Sequence, residues 1–236
     1  MMTLTRFGIK QWGLGGLAAI VLLAGAWLLG RYVNLWCGVV PAAIVLLAYF
    51  ALAAFFRNPR RTIPPEPEFI LSPADGVVKD IGTLDDFTQA PFEGRARRIG
   101  IFLSVLNVHL NRAPADWSVT SKQYRPGRYL DARDANCAKE NEAMTLAGTA
   151  RAAGLEFPLA VRQISGAIAR RIVCPVEPGA TLRKGKVYGM IKFGSRTELY
   201  LPCDDRIDIA VKPGDQVRAG VTVLARVAPE AKRHEK

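Results

Sequence analysis

Few residues in this chain can do chemistry. Two histidines occur among its 236 residues: His234 lies in the charged tail "EAKRHEK", and His109 lies within "LNVHLNRAP". An imidazole acid or base therefore has to come from His109. Asp75 precedes a glycine in "SPADGVV", and Gly194-Ser195 interrupts what reads as a strand, "GMIKFGSRTELYLP". Taken singly these are an Asp-Gly turn, a half-buried strand histidine bonded to the backbone, and a bulge or turn. Taken together they allow a self-processing reaction. A serine that follows a glycine within a strand can attack the preceding carbonyl, turning the peptide bond into an ester. Removal of the serine α-proton then eliminates the ester, and the dehydroalanine hydrolyses to a pyruvoyl group. Gly194 leaves the attacked carbonyl open and tolerates a strained turn.

These residues need a β scaffold, and the pattern from Phe69 onward supplies one. Short apolar runs alternate with turn signals every 8 to 12 residues, which predicts a mainly β (α+β) domain of the sandwich or barrel kind. Asp75-Gly76 between two apolar segments is a hairpin cue. "RRIGIFLSVLNVHLNRAP" reads as one long β run ending at Pro114, and in "EFPLAVRQISGAIARRIVCPV" helix and strand are hard to separate. "SPADGVV" and "VKPGDQVRAGVTVLARV" resemble the paired half-motifs of barrel-sandwich hybrids. No lysine stands at an "MKM"-like tip, so a carrier function does not follow.

The N-terminal third differs in kind. Residues 11–30 carry no charge, and after Arg31 residues 32–56 carry none. Each run has the roughly 20 residues needed to cross a bilayer core. Trp12, Trp27, Tyr32 and Trp36 sit near the run ends, as in an interfacial aromatic belt. Arg6 and Lys10 flank one end of the pair, and Arg57, Arg60 and Arg61 flank the other. With both clusters inside, the runs form a helical hairpin turning at Arg31-Tyr32-Val33-Asn34, and the soluble part lies on the cytoplasmic face of the cell membrane. A shallow, monotopic hairpin fits the same residues. "RNPRRTIPPEPE" is a Pro-rich linker, which divides the chain into a membrane-associated segment, 1–64, and a domain, 65–236.

Charge supports the membrane and argues against nucleic acid. No acidic residue precedes Glu66, and six of the net +11 charges belong to the first 65 residues. That asymmetry suits an anionic lipid surface, and no nucleic-acid-binding motif accompanies it. Cys37, Cys137, Cys174 and Cys203 form no C-x-x-C pair, so free thiols are expected and no metal site.

"FFRNPRR", "SPADGVV", "ISGAIARRIV" and "KGKVYGMIKFGSRTELYLP" together resemble the phosphatidylserine decarboxylase proenzymes of the short bacterial type, over essentially the whole chain. The block around Phe-Gly-Ser-Arg is the most specific part. The resemblance implies cleavage between Gly194 and Ser195, giving a heterodimer of a large chain, 1–194, and a small chain, 195–236. Ser195 becomes a covalently bound pyruvoyl cofactor. It forms a Schiff base with the headgroup amine of phosphatidylserine and accepts electrons as carbon dioxide leaves, yielding phosphatidylethanolamine. Longer family members process themselves with an Asp, a His and the cleavage-site Ser. Asp75 matches that Asp. Of two family histidines three residues apart, His109 matches the first, while Arg112 stands at the second, the usual triad member. His109 is thus open to a role in processing or in decarboxylation. Asn141 and Glu142 in "AKENEAM" also match a family segment, structural or substrate-lining.

A competing expectation is a non-enzymatic, membrane-anchored barrel-sandwich adaptor of an export system. Such adaptors carry long coiled-coil heptads, and this chain has none.

Overall fold

The computed structural model describes residues 2–131, 137–167, 171–192 and 195–228; Gly194 and His234, both singled out by the sequence, lie outside them. The protein is mainly β with an N-terminal pair of helices, and it divides into two compact units, 1–60 and 61–236.

In the first unit, strand β1 (Met2–Leu4) and a 3₁₀ turn (Arg6–Gly8) lead into helix α1 (Ile9–Tyr32). Helix α2 (Leu35–Phe55) returns, and β2 (Arg57–Pro59) follows. β1 and β2 pair antiparallel, so the basic flanks at Arg6 and Arg57 lie at the same end of the helix pair. Asn34 begins α2 as its N-cap, its Oδ1 accepting from Trp36 N–H at 2.9 Å. The helices touch through small residues, as apolar helices do when no larger side chain intervenes. A Cβ on Gly38 would lie 2.6 Å from the Ala26 carbonyl oxygen and 2.7 Å from the Gly30 Cα. Large apolar side chains such as Leu14, Ile20, Ile44 and Phe50 point outward along both helices. Both helices are long and apolar enough to cross a bilayer.

The second unit is built from strands of two to fourteen residues. They run β3 (Phe69–Leu71), β4 (Gly76–Gln89), β5 (Phe92–Leu103), β6 (Leu110–Arg112) and β7 (Asp116–Arg125). A single helical turn, α3 (Cys137–Glu140), precedes β8 (Ala143–Ala152), β9 (Leu155–Ile164) and β10 (Arg171–Val173). Then come β11 (Thr181–Leu182), β12 (Val187–Lys192) and β13 (Ser195–Pro202). The last are β14 (Ile207–Ile209), β15 (Gln216–Val217) and β16 (Val223–Val227).

Among the described residues, eight strands form one antiparallel sheet in the order β11-β7-β8-β9-β13-β5-β4-β15, beside two three-stranded sheets, β10-β12-β6 and β14-β16-β3. Strand alternation sends Val78, Ile99, Ile101, Leu146, Val161 and Leu199 into one core with Trp117. Each large aliphatic side chain so buried is worth about 1.5–3 kcal/mol.

Three expectations are corrected. Asp75-Gly76 does not join a hairpin: β3 pairs with β16 while β4 pairs with β5 and β15. The backbone there is pressed against β5 instead, and a Cβ on Gly76 would overlap the Phe102 carbonyl. The run from Arg97 to Pro114 is not one strand. Asn107 Oδ1 accepts from both the N–H and the hydroxyl of Ser104 at 2.8 Å, closing a turn that ends β5 and starts β6 in another sheet. Likewise, the segment around Gly194-Ser195 is two strands in different sheets, β12 and β13, rather than one interrupted strand. The segments "SPADGVV" and "VKPGDQVRAGVTVLARV" do meet, through Gln216↔Val77 and Val217↔Gly76.

Candidate active site

Ser195 is the first residue of β13 and pairs with Leu103 of β5, so it marks one end of a strand held by β5 on one side and β9 on the other. It is fully buried, and its hydroxyl finds no hydrogen-bond partner among the described residues. A buried hydroxyl without a partner costs on the order of 1–3 kcal/mol, and such groups concentrate where function requires them.

Two residues further along β13, Thr197 Oγ1 accepts from Asn111 Nδ2 of β6 at 3.1 Å, and Asn111 Oδ1 accepts from Gln163 Nε2 of β9 at 2.8 Å. All three polar side chains are buried. The contact fixes which sides of β6 and β13 face each other. Side chains two apart share a side of a strand. The β6–β12 ladder extends back to His109, whose carbonyl accepts from Ile191 N–H at 3.1 Å. His109 therefore lies on the side of its strand turned toward β13, and Ser195 on the side of β13 turned toward β6. The imidazole is fully buried, with Nδ1 at 3.0 Å from the Asn107 carbonyl oxygen. A carbonyl can only accept, so Nδ1 carries the proton in that bond and Nε2 is the basic nitrogen.

Asp75 belongs to another cluster. Its carboxylate accepts two hydrogen bonds from Arg61, Nη1 at 2.6 Å and Nη2 at 2.7 Å, and one from Ala219 N–H at 2.8 Å. Both side chains are nearly buried, so this is a charge pair taken out of water rather than a surface contact. Arg112, three residues from His109 and hence on the opposite side of the strand, lies within electrostatic reach of both. Burial and the neighbouring Arg61 push its guanidinium below its ordinary value, against the pull of Asp75. Its Nη1 donates to the Gly185 carbonyl at 3.0 Å.

The sequence passed over two features. One is Arg61, read only as a basic flank of the membrane segment. The other is the face of β13 opposite Ser195 and Thr197, also buried, where Arg196 bonds Asp80 of β4 and Glu198, and Tyr200 donates its hydroxyl to Glu198. Burial opposes the Arg196 charge, but Asp80 and Glu198 more than offset this and hold it above its ordinary value. Burial, then Glu198, pushes the Tyr200 phenol upward. Charges at alternate positions of the apolar strand "SRTELYLP" were the available signal.

Asn141 ties two loops at the Ser195 end of the sheet. Its side chain bonds both backbone groups of Leu130 and the Ser165 carbonyl, each at 2.8 Å. Glu142 Oε1 accepts from the Tyr124 hydroxyl at 3.2 Å. Among the described residues no group of three or more His, Cys, Asp or Glu could hold a metal ion.

A family model described as phosphatidylserine decarboxylase matches residues 49–225. Similar proteins include three named phosphatidylserine decarboxylase proenzyme. That of Carboxydothermus hydrogenoformans is 41% identical over 211 residues, covering 88% of this chain and 92% of the relative. That of Rhodopirellula baltica is 44% identical over 193 residues, covering 79% and 76%. That of Geobacter sp. strain M21 is 41% identical over 212 residues, covering 89% and 91%. With a match over this much of its length, the chain belongs to the phosphatidylserine decarboxylase family.

Proposed function

We propose that this protein converts phosphatidylserine to phosphatidylethanolamine at a pyruvoyl group made from Ser195 when the chain cleaves itself between Gly194 and Ser195. The observation that carries the proposal is the Ser195 hydroxyl, fully buried at the head of β13 with no hydrogen-bond partner among the described residues. Among the described residues nothing competes for its lone pairs, so its reaction partner can be the chain itself.

In the processing step Ser195 Oγ adds to the Gly194 carbonyl carbon, its proton passes to a base, and the C–N bond breaks to leave an ester and a free amine. Loss of the Ser195 α-proton expels the residue 194 carboxylate. The dehydroalanine takes up water and releases ammonia, leaving a ketone at the new terminus. Ser195 fits this group because it begins a strand at the site of cleavage. Once formed, the pyruvoyl group supplies the electron-accepting carbonyl that decarboxylation requires. The small chain, 195–236, stays in place because residues 195–202 are paired with β5 and 196–200 with β9.

His109, turned toward β13, carries protons through Nε2: from the Ser195 hydroxyl or α-carbon during processing, or to the substrate carbon after carbon dioxide leaves. Asp75, held by Arg61 and Ala219 N–H, positions the loop before β4 and sets the field around Arg112. α1 and α2 attach the segment 1–64 to the membrane, with the domain 65–236 on the cytoplasmic face.

Intact-mass analysis tests the proposal. Wild type should resolve as two chains, the smaller with a blocked N-terminus. Ser195→Ala should remain one inactive chain. Two chains from Ser195→Ala would overturn it.

A further inference from the structure

One end of the eight-stranded sheet carries both Ser195 and the exposed apolar surface of the second unit. A row of pairings crosses the sheet there: Arg125↔Ala143, Ala143↔Ile164, Ile164↔Arg196 and Ser195↔Leu103. Among the described residues from 61 to 228, the exposed large hydrophobic side chains are Val105 (45%), Leu106 (84%), Tyr124 (54%) and Tyr129 (42%). Val105 and Leu106 form the tip of the turn that leaves β5 just after Leu103. Tyr124 is the penultimate residue of β7, and Tyr129 lies in the loop that follows. All four therefore project from the end of the sheet where Ser195 sits.

The tip is built to stay out. Asn107 N–H donates to the Ser104 carbonyl at 2.9 Å, while Asn107 Oδ1 takes the N–H and hydroxyl of Ser104. This closes the turn with its two apolar residues facing water, a placement with no benefit to the folded domain on its own. The same loop continues into His109, two residues after the turn.

We infer that this rim, with Val105-Leu106 at its tip, inserts into the lipid surface and seats the Ser195 site against the bilayer. The inference rests on the proposed function, because a phosphatidylserine headgroup has to reach a buried Ser195 while its acyl chains remain in lipid. Leu and Val suit the acyl boundary and tyrosines the headgroup level. A second copy of this chain is a poorer occupant. A stable dimer buries about 800 Å² per partner around a packed apolar centre, and two aliphatic side chains with two tyrosines supply too little.

The experiment uses the full-length, processed protein in vesicles of phosphatidylcholine and phosphatidylserine, with a benzophenone-bearing amino acid at position 106. Illumination should give adducts of lipid mass. Alongside it, Val105→Ser with Leu106→Ser should lower the ratio of activity on vesicle phosphatidylserine to activity on short-chain monomeric phosphatidylserine. A drop of about tenfold is expected, the effect of losing one buried aliphatic side chain. Adducts to a second copy of the chain, no lipid adduct, or an unchanged ratio would each overturn the rim assignment. Absence of decarboxylation by wild type on either substrate would instead remove the functional proposal, and the adduct measurement would still decide the rim.

Discussion

Arg196 reaches across a whole strand to Asp80, its Nη1 and Nη2 each 2.8 Å from one carboxylate oxygen, over the bare Cα of Gly100. A Cβ on Gly100 would overlap Arg196 Nη2 and come within 2.6 Å of Cζ and 2.8 Å of Asp80 Oδ1. The glycine is what lets β13 and β4 be tied across β5, immediately beside Ser195. Gly100→Ala should destabilise the protein by about 1–3 kcal/mol through overpacking. Chemical denaturation reads this, and an unchanged midpoint would show that the pair relaxes freely.

The same pair makes stability pH-dependent. Burial raises the Asp80 pKa, but hydrogen bonds and charge from Arg196 and Arg98 win and hold it below its ordinary value. A carboxylate depressed in the folded state contributes stability that is present above its unfolded pKa of about 4 and is lost as pH falls through the folded value. The melting temperature of wild type should therefore fall below about pH 4, and Asp80→Asn should flatten that fall. Identical acid limbs for the two proteins would contradict this.

Asp75 makes a sharper case. With both partners nearly buried, Asp75→Ala strands the Arg61 charge, which should cost about 3–5 kcal/mol. Arg61→Ala should cost a similar amount. A base whose only work was proton transfer would leave folding untouched on removal, so a normal melting curve for Asp75→Ala would show that the pair with Arg61 adds nothing to folding and leave proton transfer in processing as its role.

For His109, positioned acid–base groups contribute roughly 10²- to 10⁴-fold, and His109→Ala should slow one step by about that much. We expect a chain that still cleaves but turns over poorly, because Arg112 occupies the position of the usual triad histidine and stands with Asp75. An uncleaved mutant would assign His109 to processing. Wild-type rates in both steps would leave it a strand residue.

Much of this protein is written locally in its sequence. The uncharged runs before Arg57 specify two apolar helices because helix formation and hydropathy depend on contiguous residues. The mainly β character of the remainder follows from short apolar runs between turns, and Ser195 stands out because its neighbours form a compact family block. What the chain alone leaves open is partnership. Nothing local says that Arg61 belongs to Asp75, that Arg196 belongs to Asp80, or that Asn107 folds back on Ser104 to break an apparently continuous strand.

Those pairings depend on which strands become neighbours, and that is decided when distant segments bury a common core. His109 and Arg112 show the division most clearly. Their spacing of three is visible in the sequence and, on a strand, sends them to opposite sides. Only the sheet arrangement decides that Asn111, between them, meets Thr197 of β13 while Arg112 lies near Asp75 and Arg61. The reason is physical: alternation is a property of the backbone, but what each side meets is a property of the packed sheets.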